Sequence, residues 1–136
     1  MSATELPSSP FDELIGTEWI EDGPKLARAR IAVSDKLKQP LGLVHGGVFA
    51  CLAESICSRA THLAVAEDGM VAMGQSNATS FLRPMTEGHV NAVARRRHGG
   101  RTSWIWDVEI HDDDGHLCAL ARMTIAVRPA PVADNA

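Results

Sequence analysis

The residues best suited to chemistry lie in the segment from Gln39 to Gly47, which reads Gln-Pro-Leu-Gly-Leu-Val-His-Gly-Gly. Its His-Gly-Gly turn leads directly into an apolar run, Val48 to Ala66, that predicts the principal helix. Gly46 and Gly47 would place bare backbone N–H groups at the positive end of that helix dipole, where a ligand can approach closely. Such an N–H can polarise a carbonyl oxygen and stabilise the oxyanion that develops upon attack.

A polar stripe follows on the same predicted helix. Glu54, Ser58 and His62 recur every four residues and therefore share one face, with Ser55 and Arg59 beside them. Glu54 stands roughly two turns beyond the glycines and could act as a nucleophile or a general base. A solvated or interface stripe would have the same spacing, and glycine is common near turns. Spacing alone therefore leaves a catalytic and a structural interpretation open.

Strands must position this helix, because alternation of apolar and polar residues dominates the rest of the chain. The predicted strands are Thr17 to Glu21, Lys25 to Val33, Val71 to Leu82, His89 to His98, Arg101 to His111, and a last one from Leu117 to Val127. The order is thus two strands, one helix of roughly 30 Å, and four strands. We expect consecutive strands joined by short turns to be antiparallel neighbours.

The helix is apolar over most of its circumference, so we expect a curved sheet to enclose it. One long central helix wrapped by a curved antiparallel sheet of about six strands is an α+β architecture, the hotdog fold. Between Val71 and Leu82, one face carries only small residues (Gly74, Ser76, Ala78 and Ser80), which predicts that the helix passes close to it. Exposed sheet edges predict pairing with a second copy of the chain.

Length and composition narrow the function classes. The 136 residues predict one domain at 11–129, with a flexible lead-in at 1–10 and a flexible tail at 130–136. A net charge of −4 gives no reason to expect nucleic acid or a membrane surface. Glu54, Arg59 and His62 interrupt the longest apolar run, which argues against a transmembrane span.

Cysteine and histidine usage points to the compartment and bears on metal binding. The three cysteines are an odd number in apolar surroundings, which indicates free thiols in a reducing compartment; with no signal peptide apparent, we expect a cytoplasmic protein. The six histidines show no ligand spacing with cysteines or carboxylates, so no metal is expected.

Longer motifs resemble the hotdog-fold acyl-CoA thioesterases, and most closely the Arthrobacter-type 4-hydroxybenzoyl-CoA thioesterase. The resemblance covers about residues 35 to 129 with consistent spacing, so it is specific to that subfamily. The motifs are His45-Gly46-Gly47, Ala53-Glu54, Gly74-Gln75-Ser76-Asn77, Thr79-Ser80-Phe81, Arg83-Pro84, Glu87-Gly88-His89-Val90, Trp104, Trp106-Asp107-Val108, Leu117-Cys118-Ala119 and Ile125-Ala126-Val127-Arg128-Pro129.

That resemblance implies roles for five residues around the reacting thioester. Glu54 matches the catalytic carboxylate, acting as nucleophile or base, and Gly46 matches the backbone donor to the thioester carbonyl. Gln39 matches a side chain that helps to hold the thioester or water. Ser58 stands where the family uses threonine and keeps the hydroxyl. His45 matches the histidine at the helix entry, where a turn anchor and a catalytic group are both open.

The resemblance also implies a substrate, a cofactor status and an assembly. Arg83, Arg101 and Thr102 fall on positions that hold the phosphates and pantetheine arm of CoA, although Arg101 replaces a serine there. No cofactor is implied. Because Glu54 and Gly46 would lie about 12 Å apart on one helix, we expect a homo-oligomer, a dimer or a dimer of dimers, with active sites at the dimer interface.

Arg59 is a departure from the pattern, because it replaces an acidic residue near the acyl group of the 4-hydroxybenzoyl enzymes. Losing an acceptor and gaining a cation should weaken the preference for a para-hydroxyl, which leaves hydroxylated, dihydroxylated and acidic aryl-CoA esters as candidates. Three functions stay open: hydrolysis of an aromatic or other acyl-CoA, acyl-CoA hydration, and non-catalytic acyl-CoA binding. Hydration is disfavoured because no Asp and His pair appears between Val44 and Glu54.

Overall fold

The predicted order of elements is confirmed in a computed structural model that describes residues 6–132. The outer parts of the predicted lead-in and tail, residues 1–5 and 133–136, lie outside the described residues. The helices are α1, Pro10–Ile15, and α2, Gly46–Val65; the strands are β1, Thr17–Asp22, β2, Leu26–Ala32, β3, Met70–Phe81, β4, His89–Gly99, β5, Ser103–His111, and β6, Leu117–Pro129.

The strands form one six-stranded antiparallel sheet in the order β1-β2-β4-β5-β6-β3, which confirms the predicted hotdog fold. The expectation that consecutive strands are neighbours is wrong for β3 and β4. β3 instead pairs with β6, from Met70 opposite Pro129 to Phe81 opposite Ala119. The connection after β3 crosses the end of the sheet, where Leu82 N–H donates to the Cys118 carbonyl and Gly88 C=O accepts from Val33 N–H. β3 is therefore left as an exposed edge strand.

α2 is the centre of the core. Its inner residues Phe49, Leu52, Ile56 and Ala60 are buried against the concave face of the sheet. Burying each of the larger side chains contributes about 1.5–3 kcal/mol. The buried hydroxyl of Thr61 is satisfied twice, because it donates to the Cys57 carbonyl at 2.8 Å and accepts from the Trp106 indole at 2.9 Å. After a 3₁₀ turn, Gly69 ends the helix in the left-handed conformation, as predicted (φ 72°).

By length and composition alone, the helical span Gly46–Asp68 could cross a bilayer, with a mean hydropathy of 1.2 over its most apolar stretch. Half of that stretch is buried inside the protein. Enclosure by the sheet accounts for this apolar character, as in the core helix of a globular domain.

The prediction for the small-residue face of β3 is wrong beyond Gly74. A β-bulge interrupts the pairing with β6 between Gly74 and Ser76, and the extra residue reverses the alternation of the strand. Gly74 does face α2, but after the bulge Asn77 turns towards the helix instead. Ala78 and Ser80 line a cavity of about 530 Å³ on the opposite face of the sheet.

The described part of the lead-in packs along α2. Ser9 caps α1 by accepting from Asp12 N–H at 3.1 Å, and Gly16 ends that helix with φ 81°. The carbonyl of Leu6 accepts a hydrogen bond from Arg59 of α2 at 2.8 Å. This contact places the N-terminal segment beside the polar stripe.

Candidate active site

Two of the cavities along α2 contain most of the predicted site residues, whereas Arg101 and Thr102 line neither of them. The entry cavity, about 550 Å³, lies at the start of the helix and is lined by Gln39, Leu43, Val44, His45, Gly46, Gly47, Phe49, Phe81, Leu82, Arg83 and Pro84. The stripe cavity, about 360 Å³, lies over the polar stripe and is lined by Leu6, Pro7, Ser9, Asp12, Trp19, Glu54, Ser55, Ser58, Arg59, His62 and Ala72.

The helix entry leaves one backbone donor open. His45 is the N-cap of α2, and its Nδ1 accepts the Gly47 N–H at 2.8 Å. Gly46 is the first helical residue, where the N–H has no intrahelical partner. Within residues 6–132, this N–H donates to no group outside the helix either. A Cβ on Gly46 would stand 2.9 Å from the Phe81 ring, and one on Gly47 would stand 2.9 Å from the His45 ring. Glycine at both positions therefore keeps the entry cavity accessible to a carbonyl oxygen.

Gln39 presents amide donors to the same cavity. Its side-chain carbonyl accepts the Leu41 N–H. Its backbone closes a tight loop: the Gln39 carbonyl accepts the Gly42 N–H at 3.0 Å, and the Gln39 N–H donates to the Leu43 carbonyl at 2.8 Å. This loop holds the side chain against the helix entry. The amide nitrogen has no partner within the described chain, so it can donate to a bound thioester or water.

Glu54 is an exposed carboxylate on the polar stripe, and it lines the stripe cavity together with Ser58 and His62. Cys51, one turn earlier, shares a smaller cavity of about 200 Å³ with it. Burial, and then the negative charge of Glu54, raise the pKa of the Cys51 thiol. This thiol therefore stays protonated at neutral pH and is not an anionic nucleophile on this face.

Arg59 is fixed beside Glu54 by three contacts. Its Nε donates to Asp22 at 3.1 Å, one Nη donates to the Leu6 carbonyl at 2.8 Å, and its guanidinium lies 4.7 Å from the centre of the Trp19 ring. The side chain is only 15% exposed. Arg59 is therefore a wall of the stripe cavity and not a mobile surface cation.

One protomer does not bring all the predicted residues together. Glu54 and Gly46 line different cavities, and eight residues of α2 separate them by about 12 Å. The backbone N–H of Arg83 donates to the carbonyl of Cys118, at the start of β6. The backbone carbonyl of Thr102 accepts the N–H of Val127, near the end of β6. Those positions of β6 are roughly 30 Å apart. Arg101 and Thr102 therefore lie at the opposite end of the sheet from Arg83.

The turn between β5 and β6 brings possible metal ligands together, which the sequence did not suggest. Ligand atoms of Asp112, Asp114 and His116 lie within 4.8 Å of one another. Turn formation explains this proximity, because the Asp112 carboxylate accepts the N–H groups of Asp114 and His116 at 3.0 and 2.8 Å. Desolvation would raise the pKa of Asp112, but hydrogen bonds from His116 outweigh it and lower that pKa.

Sequence reasoning missed three residues that line the two cavities beside Glu54. Trp19 and Asp12 come from β1 and α1, and Asn77 comes from β3. No periodicity marks Trp19 or Asp12, since both depend on how the N-terminal segment folds back. Asn77 lies in one of the family motifs, but the β-bulge that turns its side chain towards α2 cannot be recognised from the alternation of residue types along β3.

Comparisons with known proteins show the family to which the chain belongs. The family model of the thioesterase superfamily matches residues 41–119. The chain is 36% identical over 115 residues to the proofreading thioesterase EntH of Cronobacter turicensis, covering 85% of this chain and 83% of that protein. It is 37% identical over 105 residues to the 1,4-dihydroxy-2-naphthoyl-CoA hydrolase of Escherichia coli K12, covering 77% and 76%.

A solved structure shows the same fold. The crystal structure of a mutant of thioesterase PA1618 from Pseudomonas aeruginosa superposes with a TM-score of 0.83 at 35% identity, covering 88% of this chain and 86% of that one. The chain therefore belongs to the thioesterase superfamily. It is a thioester hydrolase with a hotdog fold.

Proposed function

We propose that the protein hydrolyses an aromatic, 4-hydroxybenzoyl-like acyl-CoA thioester to the free acid and CoA. The observation that carries the proposal is the pairing, on one helix, of an open Gly46 N–H at the entry and an exposed Glu54 carboxylate on the stripe. Relatives named as thioesterases, one of them a hydrolase of a naphthoyl-CoA ester, support the same reaction class.

In the proposed mechanism, the thioester carbonyl accepts the Gly46 N–H, which stabilises the oxyanion formed upon attack. Glu54 either takes a proton from the attacking water or attacks the carbonyl carbon itself, giving an anhydride that water then cleaves. The C–S bond breaks in both routes, and the CoA sulfur leaves as a thiolate that acquires a proton. Gln39 and Ser58 supply hydrogen bonds to the thioester or the water.

The site is proposed to form between two protomers. The exposed edge strand β3 supports pairing with a second copy, and the separation of the two cavities in one chain supports a shared site. A CoA site that uses Arg83 with Arg101 and Thr102 also needs more than one protomer, since one chain holds them at opposite ends of its sheet. We propose a dimer or a dimer of dimers on these grounds.

The cysteines support the cytoplasm as the setting. Cys51, Cys57 and Cys118 are all free, and burial raises the pKa of the Cys57 thiol well above its usual range. Such a buried thiol is unreactive and suits a reducing compartment.

A thiol-release assay across CoA esters tests the substrate class. Benzoyl-type esters should exceed acetyl- and butyryl-CoA in kcat/KM by at least roughly tenfold, about 1.4 kcal/mol of differential transition-state binding. The aromatic ring would be held by the walls of the stripe cavity, including Trp19. Equal values of kcat/KM for acetyl-CoA and benzoyl-CoA would contradict the aromatic assignment.

Arg59 offers a second test, which concerns selectivity within aromatic esters. Replacing it by glutamine exchanges a cation for a neutral acceptor, and we expect the preference for 4-hydroxybenzoyl over benzoyl esters to rise roughly threefold or more. Glutamine is a better choice than glutamate, because a carboxylate here would face Asp22, which now lies 3.1 Å from Arg59. Arg59→Lys, which retains the charge, is the matched control. An unchanged ratio in a folded Arg59→Gln variant would remove Arg59 from the acyl pocket.

A further inference from the structure

β3 passes close beside Glu54. A Cβ on Gly74 would stand 3.2 Å from the carboxyl carbon of Glu54, so the strand passes as close as glycine allows. Three residues later, Asn77 lines the small cavity that Glu54 shares with Cys51. The position of the Glu54 carboxylate therefore depends on how closely β3 packs against α2.

Asn77 ties the two elements together at this point. Its Nδ2 donates to the carbonyl of Ala50 at 2.9 Å, and Ala50 stands one helical turn before Glu54. By the helical pattern, the same carbonyl accepts the N–H of Glu54. The hydroxyl of Thr79 donates to Asn77 Oδ1 at 2.7 Å, which fixes the orientation of the amide. Thr79, Asn77 and Ala50 therefore form a chain of hydrogen bonds that ends at the turn carrying Glu54.

Within one protomer, β3 is an edge strand, and the bond from Asn77 is a second link between it and the rest of the domain. Most of its residues from Met73 to Phe81 are exposed, and only β6 holds it by backbone pairing. The bulge at Gln75 brings both Gly74 and Asn77 to the helix side, which an unbroken alternation would not do. Because of the bulge, Gly74, which contacts Glu54, and Asn77, which bonds to Ala50, lie only three residues apart on the same face of β3.

From this geometry we propose that Asn77, oriented by Thr79, is a positioning residue that sets the place of the Glu54 carboxylate. The proposal rests on the proposed function, since it acts through Glu54. A displacement of about 1 Å at a reacting group can cost a hundredfold in rate. The expected consequence of losing the bond is a lower kcat with little change in the binding of the CoA ester.

The experiment compares Asn77→Leu and Thr79→Val with the conservative variant Thr79→Ser. We expect kcat to fall roughly tenfold in Asn77→Leu and about threefold in Thr79→Val, with KM within about twofold of its original value. Thr79→Ser keeps the hydroxyl that donates to Asn77 and should retain most of the rate of the unaltered protein. Ala78→Ser, on the opposite face of β3, controls for general disturbance of the strand. A kcat in folded Asn77→Leu equal to that of the unaltered protein would overturn the proposal.

A double-variant comparison separates positioning from a structural role. If Asn77 acts through Glu54, the double variant Asn77→Leu/Glu54→Gln should have a kcat within about twofold of that of Glu54→Gln alone. Full additivity would show that Asn77 does not act through Glu54 and would overturn the proposal alone. Normal turnover in Glu54→Gln by itself would overturn the proposed function, and the role of Asn77 with it.

Discussion

A Glu54→Gln variant is expected to lose at least roughly a hundredfold in kcat, on the order of 3 kcal/mol or more of transition-state stabilisation. Glutamine keeps the volume and part of the hydrogen bonding of the side chain, but it is neither a nucleophile nor a base. Binding of the CoA ester should change little, because the contacts proposed for CoA lie at Arg83, Arg101 and Thr102. Steady-state kinetics, together with binding of a non-hydrolysable thioether analogue, measure the two effects separately.

Stability should be nearly unaffected, which distinguishes a catalytic from a structural carboxylate. Glu54 is exposed, and it forms no salt bridge within residues 6–132. Glu67→Gln makes the same chemical change at another exposed carboxylate just beyond α2 and should leave kcat unaltered. A structural Glu54 would behave in the opposite way, with a lower melting temperature or lost assembly and near-normal turnover per folded molecule.

The helix and the strands could be predicted because their patterns are local. The inward positions Ala27, Ala29 and Ile31 of β2 alternate with exposed or partly exposed arginines, and Trp104, Trp106, Val108 and Ile110 repeat the same rule in β5. Gly69 marks the end of the helical span by its left-handed conformation. The entry glycines and Glu54 could be selected as candidates for the same reason, since a helix fixes the distance between residues a known number of positions apart.

Features that depend on distant partners could not be predicted in this way. The pairing of β3 with β6 is set by how the connection after Phe81 crosses the sheet, and no local pattern records that path. The bulge adds a single residue and reverses the faces of β3, so the small residues beyond Gly74 were assigned to the wrong side. The sequence suggested a substrate contact for Arg59, but it could not predict the ion pair with Asp22, because the two residues lie 37 positions apart in the chain.

Removing the N–H of Gly46 should be as damaging as removing the carboxylate. Proline lacks that N–H and is common at the first helical position, although its Cβ would stand 2.9 Å from the Phe81 ring, as any Cβ on residue 46 would. His45 already has the extended conformation that a following proline requires, with φ −61° and ψ 132°. We expect Gly46→Pro to lower kcat by about 10²–10³-fold, the usual cost of losing an oxyanion donor. Gly46→Ala adds the same Cβ, 2.9 Å from the Phe81 ring, but keeps the N–H, so it is the matched control. Its own loss of rate measures the contact with Phe81, and the further loss in Gly46→Pro measures the missing donor.

Mixed dimers of Glu54→Gln chains and Gly46→Pro chains then decide where the site lies. If each site takes Gly46 from one protomer and Glu54 from its partner, one of the two sites in a mixed dimer contains both functional groups. The other site lacks both. Purified mixed dimers, with their composition verified by native mass spectrometry, should therefore have about half the activity of the unaltered dimer, since the intact site works independently. Each parent variant alone should remain nearly inactive.

A site contained within one protomer predicts a different result, because every chain in the mixture carries one defect. Mixed dimers would then be as inactive as the two parents, even if Glu54 and Gly46 are both essential. The helix geometry favours the first result: at 1.5 Å per residue, eight residues hold the two groups about 12 Å apart, whereas a single carbonyl needs both within about 3.5 Å. Verified mixed dimers without activity would show that α2 or its flanking loops must move to close that distance within one chain.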